Sequence, residues 1–79
     1  MTNLDKYKSS FTETFNVENK DLDSLKYQAI DDWDSVGHMS LMASLEEKFE
    51  IELDIDDIIE FSSFEVGKKI LLKYDVKVD

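Results

Sequence analysis

The chain has 79 residues, a net charge of −10 and no cysteine. We expect one domain, residues 1–79, with a small core and no room for a large buried active-site cavity. The absence of cysteine excludes disulfides and thiolate metal sites. No apolar run approaches the roughly 20 residues of a membrane span, and the N-terminus has no apolar signal region. We therefore expect a cytoplasmic monomer that does not insert into membranes.

The negative charge is concentrated in the middle of the chain. Residues 31–60 hold eleven acidic residues and one lysine, whereas residues 1–30 carry −1 and residues 61–79 carry +1. Such a field repels nucleic acids and anionic membranes and attracts basic protein surfaces. Acidic residues also promote solubility in general, but charge that served solubility alone would be spread more evenly. The pattern favours a partner-facing acidic segment and no nucleic-acid binding.

The first 33 residues predict one helix and a long loop. Apolar residues at helical spacing predict a helix over residues 3–15 that ends near Phe15 or Val17, and Thr2 or Asn3 can cap its start. Residues 18–33 lack a sustained period, so we expect a long loop, and loops of this length are often functional. The side chains expected on the buried face of the helix are Leu4, Tyr7, Phe11 and Phe15, and those expected to hold the loop are Leu22, Leu25, Tyr27 and Ile30.

Residues 34–49 predict a helix with two apolar faces. At about 100° per residue, one arc forms an ordinary core face: Leu41, Met42, Leu45 and Phe49. A narrower apolar stripe lies on nearly the opposite side, at Val36, Met39 and Ala43, flanked by Glu46, Glu47 and Glu50. This stripe could be a docking surface for basic partners or scattered exposed apolar residues, which are common. Ser35 lies where the helix should begin and could act as its N-cap.

The remaining residues predict two more helices. Ile51 and Leu53 should reach the core from a connector, and Asp54 can cap a short helix that runs to about Glu60. No register here supplies the glycine that an EF-hand requires, so no metal site is predicted. A capping box, Ser62 with Glu65, predicts the start of a last helix, within which Gly67 should permit close helix packing.

Four helical segments without a hairpin signal predict an all-α fold, an antiparallel helix bundle. The last few residues should fray. The expected core consists of Phe11, Phe15, Leu41, Leu45, Phe49, Ile70 and Tyr74.

One motif resembles a known family. Asp34-Ser35-Val36, followed by an amphipathic helix that closes with Leu45-Glu46-Glu47-Lys48-Phe49, is similar to the signature of acyl carrier proteins, Asp-Ser-Leu leading to Leu-Glu-Glu-x-Phe. The resemblance runs from about Asp31 to Tyr74. It implies a four-helix bundle of acyl-carrier type with a short third helix, a long loop before the modified serine, and an acyl chain held between helices when the carrier is loaded.

The resemblance also implies a function. Ser35 would carry 4′-phosphopantetheine, and an anionic phosphodiester suits the positive end of a helix. The protein would not be an enzyme but a covalent cosubstrate. A phosphopantetheinyl transferase would modify it, and an acyl- or aminoacyl-activating ligase and a downstream synthase or transferase would use it. Partners would recognise the acidic and apolar residues around the first turns of this helix and near its end: Asp34, Val36, Met39, Glu46 and Glu47.

Two residues near Ser35 bear on this interpretation. Gly37 stands where the family often has an acid that contacts the transferase, and Gly37-His38-Met39 looks more like carriers of specialised pathways than the general fatty-acid carrier. His38, three residues from Ser35, could pair with it as nucleophile and base. A packed or loop-bonded histidine is favoured because no hydrolase motif surrounds it.

The rival interpretation is a small acidic interaction protein, such as a nucleic-acid mimic that occupies a basic groove on another protein. It would use the same segregated charge and would have no need of Ser35.

Overall fold

A computed structural model describes residues 2–78, which fold into helices joined by loops. The elements are α1 (Asn3–Phe15), a 3-10 helix (Asn19–Ser24), α2 (Ser35–Phe49), α3 (Ile55–Glu60) and α4 (Phe64–Leu72). The described residues form no strand, and their only bridge of β type joins Lys26 to Ser63. The predicted all-α class is confirmed.

Helix α1 begins and ends where its local chemistry requires. The Thr2 hydroxyl accepts from Asp5 N–H and the Asp5 carboxylate accepts from Thr2 N–H, which is a complete capping box. The helix stops at Phe15 because Asn16 adopts a left-handed conformation with φ 54°. The predicted boundaries of this helix are confirmed, and α1 packs mainly against α2.

The loop between α1 and α2 is more ordered than predicted. Residues Asn19–Ser24 form a 3-10 helix that packs on α1 and α4. Leu22 and Leu25 are buried as expected, whereas Tyr27 is 37% exposed. Phe64 N–H donates to the Leu25 carbonyl at 3.0 Å, which ties the loop to the start of α4.

The core is larger than predicted. Five of the seven predicted core residues are buried, whereas Phe49 and Tyr74 lie half-buried at its edge. Trp33, from the loop, is fully buried and stacks on Phe15 with ring centroids 5.2 Å apart. The buried hydrophobic residues form one cluster: Tyr7, Phe11, Phe15, Leu22, Leu25, Trp33, Leu41, Met42, Leu45, Leu53, Phe61, Phe64, Ile70, Leu71, Val76 and Val78.

Gly67 of α4 leaves room for two aromatic side chains, Tyr7 of α1 and Phe61 of the connector before α4, rather than for the backbone of a neighbouring helix. A Cβ at this position would overlap the Tyr7 hydroxyl and the Phe61 ring. Tyr7 Oη donates to the Phe64 carbonyl at 2.6 Å. Burial raises the pKa of Tyr7 far above its ordinary value, and the nearby Glu65 carboxylate adds to the effect. The phenol therefore stays protonated and keeps this hydrogen bond.

Two predictions near the ends of α4 are wrong. The N-cap is Ser63, whose hydroxyl accepts from Val66 N–H at 3.0 Å, and not Ser62. The residues after α4 do not fray, because Val76 and Val78 are buried in the core. Asn3 Nδ2 also donates to the Lys77 carbonyl, which joins this tail to the start of α1.

Gly67→Ala should destabilise the protein by about 1–3 kcal/mol, because the added methyl group must displace packed aromatic side chains. The free energy of unfolding in urea measures this effect. Lys69→Ala, an exposed change on the same helix, is the control and should cost much less. An equal loss in both variants would contradict the close packing at Gly67.

Candidate functional site

The N-terminus of α2 presents Ser35 without using it as a cap. The cap is Asp34, whose Oδ1 accepts from Gly37 N–H at 2.9 Å. The interpretation of Ser35 as the N-cap is therefore wrong. Ser35 is the first residue of α2, and its side chain is exposed. Ser35 thus belongs to the first turn of α2, whose N–H groups have no carbonyl acceptor within the helix.

Close packing explains why position 37 is a glycine, and the sequence alone did not reveal this. A Cβ at this position would overlap the Asp32 carbonyl oxygen and lie 3.0 Å from Phe15 Cε1. The loop before α2 therefore crosses directly against the first turn of the helix. The family that the chain resembles often has an acid at this position. Here an acidic side chain could be accommodated only if the loop moved.

His38 is a packed side chain, as expected, and not a base for Ser35. Trp33 Nε1–H donates to His38 Nδ1 at 2.9 Å, and His38 Nε2 lies 2.7 Å from the Ile58 carbonyl oxygen. Because Nδ1 accepts, the proton must reside on Nε2, which then donates to Ile58. Both ring nitrogens are occupied, so the side chain links the loop, α2 and α3.

The second apolar stripe of α2 faces away from the core. Val36 and Met39 are 73% and 54% exposed, and Ala43 is also exposed. Glu47 is exposed one turn further along the same side. Ser35, Val36 and Met39 thus share the first two turns, whereas Glu47 lies about 18 Å from Ser35 along the axis.

Glu46 differs from its neighbour, because its carboxylate is already engaged within the chain. Glu46 is half-buried, and its Oε2 accepts from Leu53 N–H at 2.8 Å. This bond holds the connector between α2 and α3, on which Leu53 reaches the core as predicted. Of the two adjacent acids, Glu47 is the one whose side chain faces solvent.

Helix α3 buries an acidic side chain and exposes two apolar ones, the opposite of what hydrophobic burial alone would favour. Asp57 is buried, whereas Ile55 and Ile59 are 74% and 73% exposed. Ile59 lines the same groove as Met39 of α2, whereas Ile55 lines a different concave surface with Asp54 and Tyr74. Isolated exposed apolar residues are common, but exposed apolar residues of two helices that line one groove make a candidate interaction site.

Partners at the C-terminal end of α4 and just beyond it explain why Asp57 faces inward. Lys73 Nζ and Tyr74 Oη donate to its two oxygens, each at 2.5 Å, and Tyr74 Oη also accepts from Asp54 N–H at 2.9 Å. The hydrogen bond from Lys73, followed by that from Tyr74, lowers the pKa of Asp57 despite its burial. The same bond raises the pKa of Lys73. This cluster fixes α3 on α4.

A groove of about 350 Å³ lies between α2 and α3 and reaches Ser35. Its lining is mainly apolar and includes three rings. The lining residues are Tyr27, Ser35, His38, Met39, Ile58, Ile59, Phe61 and Ser62. A mainly apolar cleft with a few polar groups is the usual form of a small-molecule site, and here an exposed hydroxyl lies at its rim.

Sequence reasoning located part of this site and missed the rest. It selected Asp34, Ser35, Val36 and Met39, which lie together, and it missed the contribution of α3. The signal was present in Ile58-Ile59, because two adjacent apolar residues on a six-residue helix cannot both face the core. Which of the two would be buried depends on Asp57 and its partners.

Comparisons of this chain with known proteins identified no related protein. No protein-family model, curated protein or solved structure matched this chain. Within residues 2–78, no helix has the length and apolar character needed to cross a membrane.

Asp57→Asn should lower stability at neutral pH and have little effect in strong acid. The folded-state pKa of Asp57 lies below its unfolded value. The stabilisation is therefore complete above the ordinary carboxyl range, roughly pH 4, and is lost as the pH falls through the folded-state value. Urea unfolding of the native protein and of Asp57→Asn, at pH 7 and at pH 3 or below, measures the two free energies of unfolding. The difference between them should be smaller at the lower pH.

Asp56→Asn, an exposed change in the same first turn of α3, is the matched control for helix-dipole effects. Its effect on the free energy of unfolding should be small at both pH values. A difference between native protein and Asp57→Asn that stays constant down to the lowest pH would contradict the charged Asp57–Lys73 pair.

Proposed function

We propose that the protein is an acyl carrier, with 4′-phosphopantetheine attached to Ser35. A transferase would join Ser35 Oγ to the phosphorus of the pantetheine phosphate of coenzyme A, the hydroxyl proton would be lost, and 3′,5′-ADP would leave. A ligase or synthase would then charge the terminal thiol with an acyl or aminoacyl group. The chain itself would not be a catalyst.

The observation that carries this proposal is the exposed Ser35 hydroxyl at the start of α2. Asp34 performs the capping, so Ser35 is not needed to terminate the helix. The resemblance of residues 34–49 to the carrier signature gives this exposed hydroxyl a role. A phosphodiester here would meet the N-terminal end of the α2 dipole, although the Asp34 carboxylate beside it would oppose a second negative charge.

The surface around Ser35 supports recognition by partner enzymes. Val36 and Met39 are exposed beside Ser35, and Ile59 of α3 lines the same groove as Met39. The segment 31–60 that bears this surface holds the excess negative charge. A partner with a basic rim around an apolar depression fits these features, because complementary charge speeds association and the apolar contacts bury area. We propose Asp34, Val36, Met39, Glu46 and Glu47 as partner-facing, with Glu46 also holding the connector.

The fold is compatible with this function. We propose the finer arrangement, a four-helix bundle of acyl-carrier type, in which the six-residue α3 is the short third helix. The groove between α2 and α3 lies where the cargo of an arm on Ser35 would reach. A carrier of this kind is expected to work as a cytoplasmic monomer.

The acidic-mimic alternative accounts for less of the surface. A mimic of nucleic acid needs an array of carboxylates, and it has no use for exposed Val36, Met39, Ile55 and Ile59, which would weaken its solubility. It also gives no role to Ser35.

Ser35→Ala should fold normally and carry nothing. The native chain, incubated with coenzyme A and a promiscuous phosphopantetheinyl transferase, should gain one phosphopantetheine by intact mass, and the variant should gain none. Ser35 is exposed and is not the N-cap, so its replacement should leave the fold intact. Thermal unfolding of both proteins verifies that the variant is folded. Detection of a thioester cargo on Ser35→Ala would overturn the assignment.

Glu47→Lys should slow modification without unfolding the protein, because an exposed charge is reversed on the proposed docking face. We expect kcat/KM of the transferase to fall about 10-fold, which corresponds to roughly 1.4 kcal/mol. Asp23→Lys is the matched control, since it makes the same charge change on the 3-10 helix, which packs on α1 and α4. Equal losses in both variants would indicate a net-charge effect and contradict a specific docking face.

A further inference from the structure

The inner wall of the groove beside Ser35 is a continuous set of packed rings. The His38 ring lies nearly parallel to Trp33, with centroids 6.2 Å apart, and Trp33 in turn stacks on Phe15 at 5.2 Å. Phe61 meets His38 edge to face at 6.1 Å. A group that moved from the groove toward the core would meet His38 first and Trp33 directly behind it.

Hydrogen bonds close this wall. Trp33 Nε1–H donates to His38 Nδ1 at 2.9 Å, and His38 Nε2 lies 2.7 Å from the Ile58 carbonyl. A chain that entered between α2 and α3 would have to separate these groups. It would leave the N–H of a fully buried indole without an acceptor, and a buried donor without a partner is costly.

The outer part of the groove favours a compact occupant. Met39 and Ile59 are largely exposed, and Tyr27 also lies at the surface. The Tyr27 ring meets His38 edge to face at 5.4 Å. Rings that line the groove can contact a flat group by stacking or by edge-to-face packing.

We propose that His38 determines cargo specificity by closing the path into the core, so that the carrier holds compact acyl groups, such as an aryl ring, at the surface. This inference rests on the proposed function and departs from the resemblance, which implies an acyl chain held between helices. His38 acts on the cargo through the wall that it forms with Trp33 and Ile58. A cargo held this way stays accessible to the enzyme that receives it.

The test attaches the cargo without a transferase. Because the chain has no cysteine, Ser35→Cys provides a single thiol, which displaces iodide from an iodoacetamide-ended arm of pantetheine length. Three arms would be compared, ending in acetyl, octanoyl or benzoyl groups. The reporters are the indole N–H resonance of Trp33, the only tryptophan, and the methyl resonances of Met39 and Ile59.

In the protein with native His38, the Trp33 indole N–H should have the same chemical shift with the octanoyl and benzoyl arms as with the acetyl arm. The benzoyl arm should shift the Met39 and Ile59 methyl resonances. In His38→Ala, the octanoyl arm should shift the indole resonance relative to the acetyl arm on the same variant. His38→Gln, whose amide can both accept from Trp33 and donate to Ile58, should behave as the native residue does.

An octanoyl arm that shifts the indole resonance in the His38 protein would overturn the proposal, and so would a benzoyl arm that leaves Met39 and Ile59 unchanged. The comparison of octanoyl with acetyl arms uses only the protein with native His38. It therefore tests the proposal even if His38→Ala does not fold. Either result is separate from the proposed function, because modification of native Ser35 is measured by mass with a transferase.

Discussion

The hydrogen bond between the buried Trp33 indole and His38 connects the main parts of the site. Trp33 lies in the loop before α2, packed against Phe15 and Phe11 of α1. Its N–H needs an acceptor once it is buried, and His38 in the first turns of α2 supplies one. The second nitrogen of His38 holds Ile58 of α3. Ser35 lies between Trp33 and His38 in the chain, so this bond joins the loop before Ser35 to the turn of α2 after it.

Close contact between the loop and α2 makes this arrangement possible. The Asp32 carbonyl lies where a side chain at position 37 would be, so only glycine leaves the loop in place. On the other side of the groove, the Asp57 cluster with Lys73 and Tyr74 fixes α3 on α4. One carboxylate is buried there, and two isoleucines are exposed in consequence. Such a departure from simple hydrophobic patterning is typical of a functional surface.

The sequence predicted the elements that depend on local signals. The boundaries of α1 follow from Thr2 and from apolar spacing, and the packing role of Gly67 follows from its place in an apolar arc. The sequence did not predict features that depend on distant partners. Trp33 was not recognised as a core residue because the loop has no period, and the inward orientation of Asp57 depends on residues sixteen and seventeen positions further on. Ser63 rather than Ser62 is the cap at a place where the Ser62 carbonyl accepts from Tyr27 N–H and Phe64 N–H donates to the Leu25 carbonyl, contacts with the loop that a capping motif does not reveal.

The most direct measurement of the central claim is tandem mass spectrometry of the intact protein isolated from its own cells. The account predicts a population that releases a pantetheine-derived fragment on activation, with the phosphodiester mapped to Ser35 and any acyl cargo retained on the released fragment. An unmodified Ser35 in every molecule, from cells in which other carriers are modified, would contradict the account. The acidic segment would then be the feature to explain, as the surface of a protein that binds basic partners without a covalent arm.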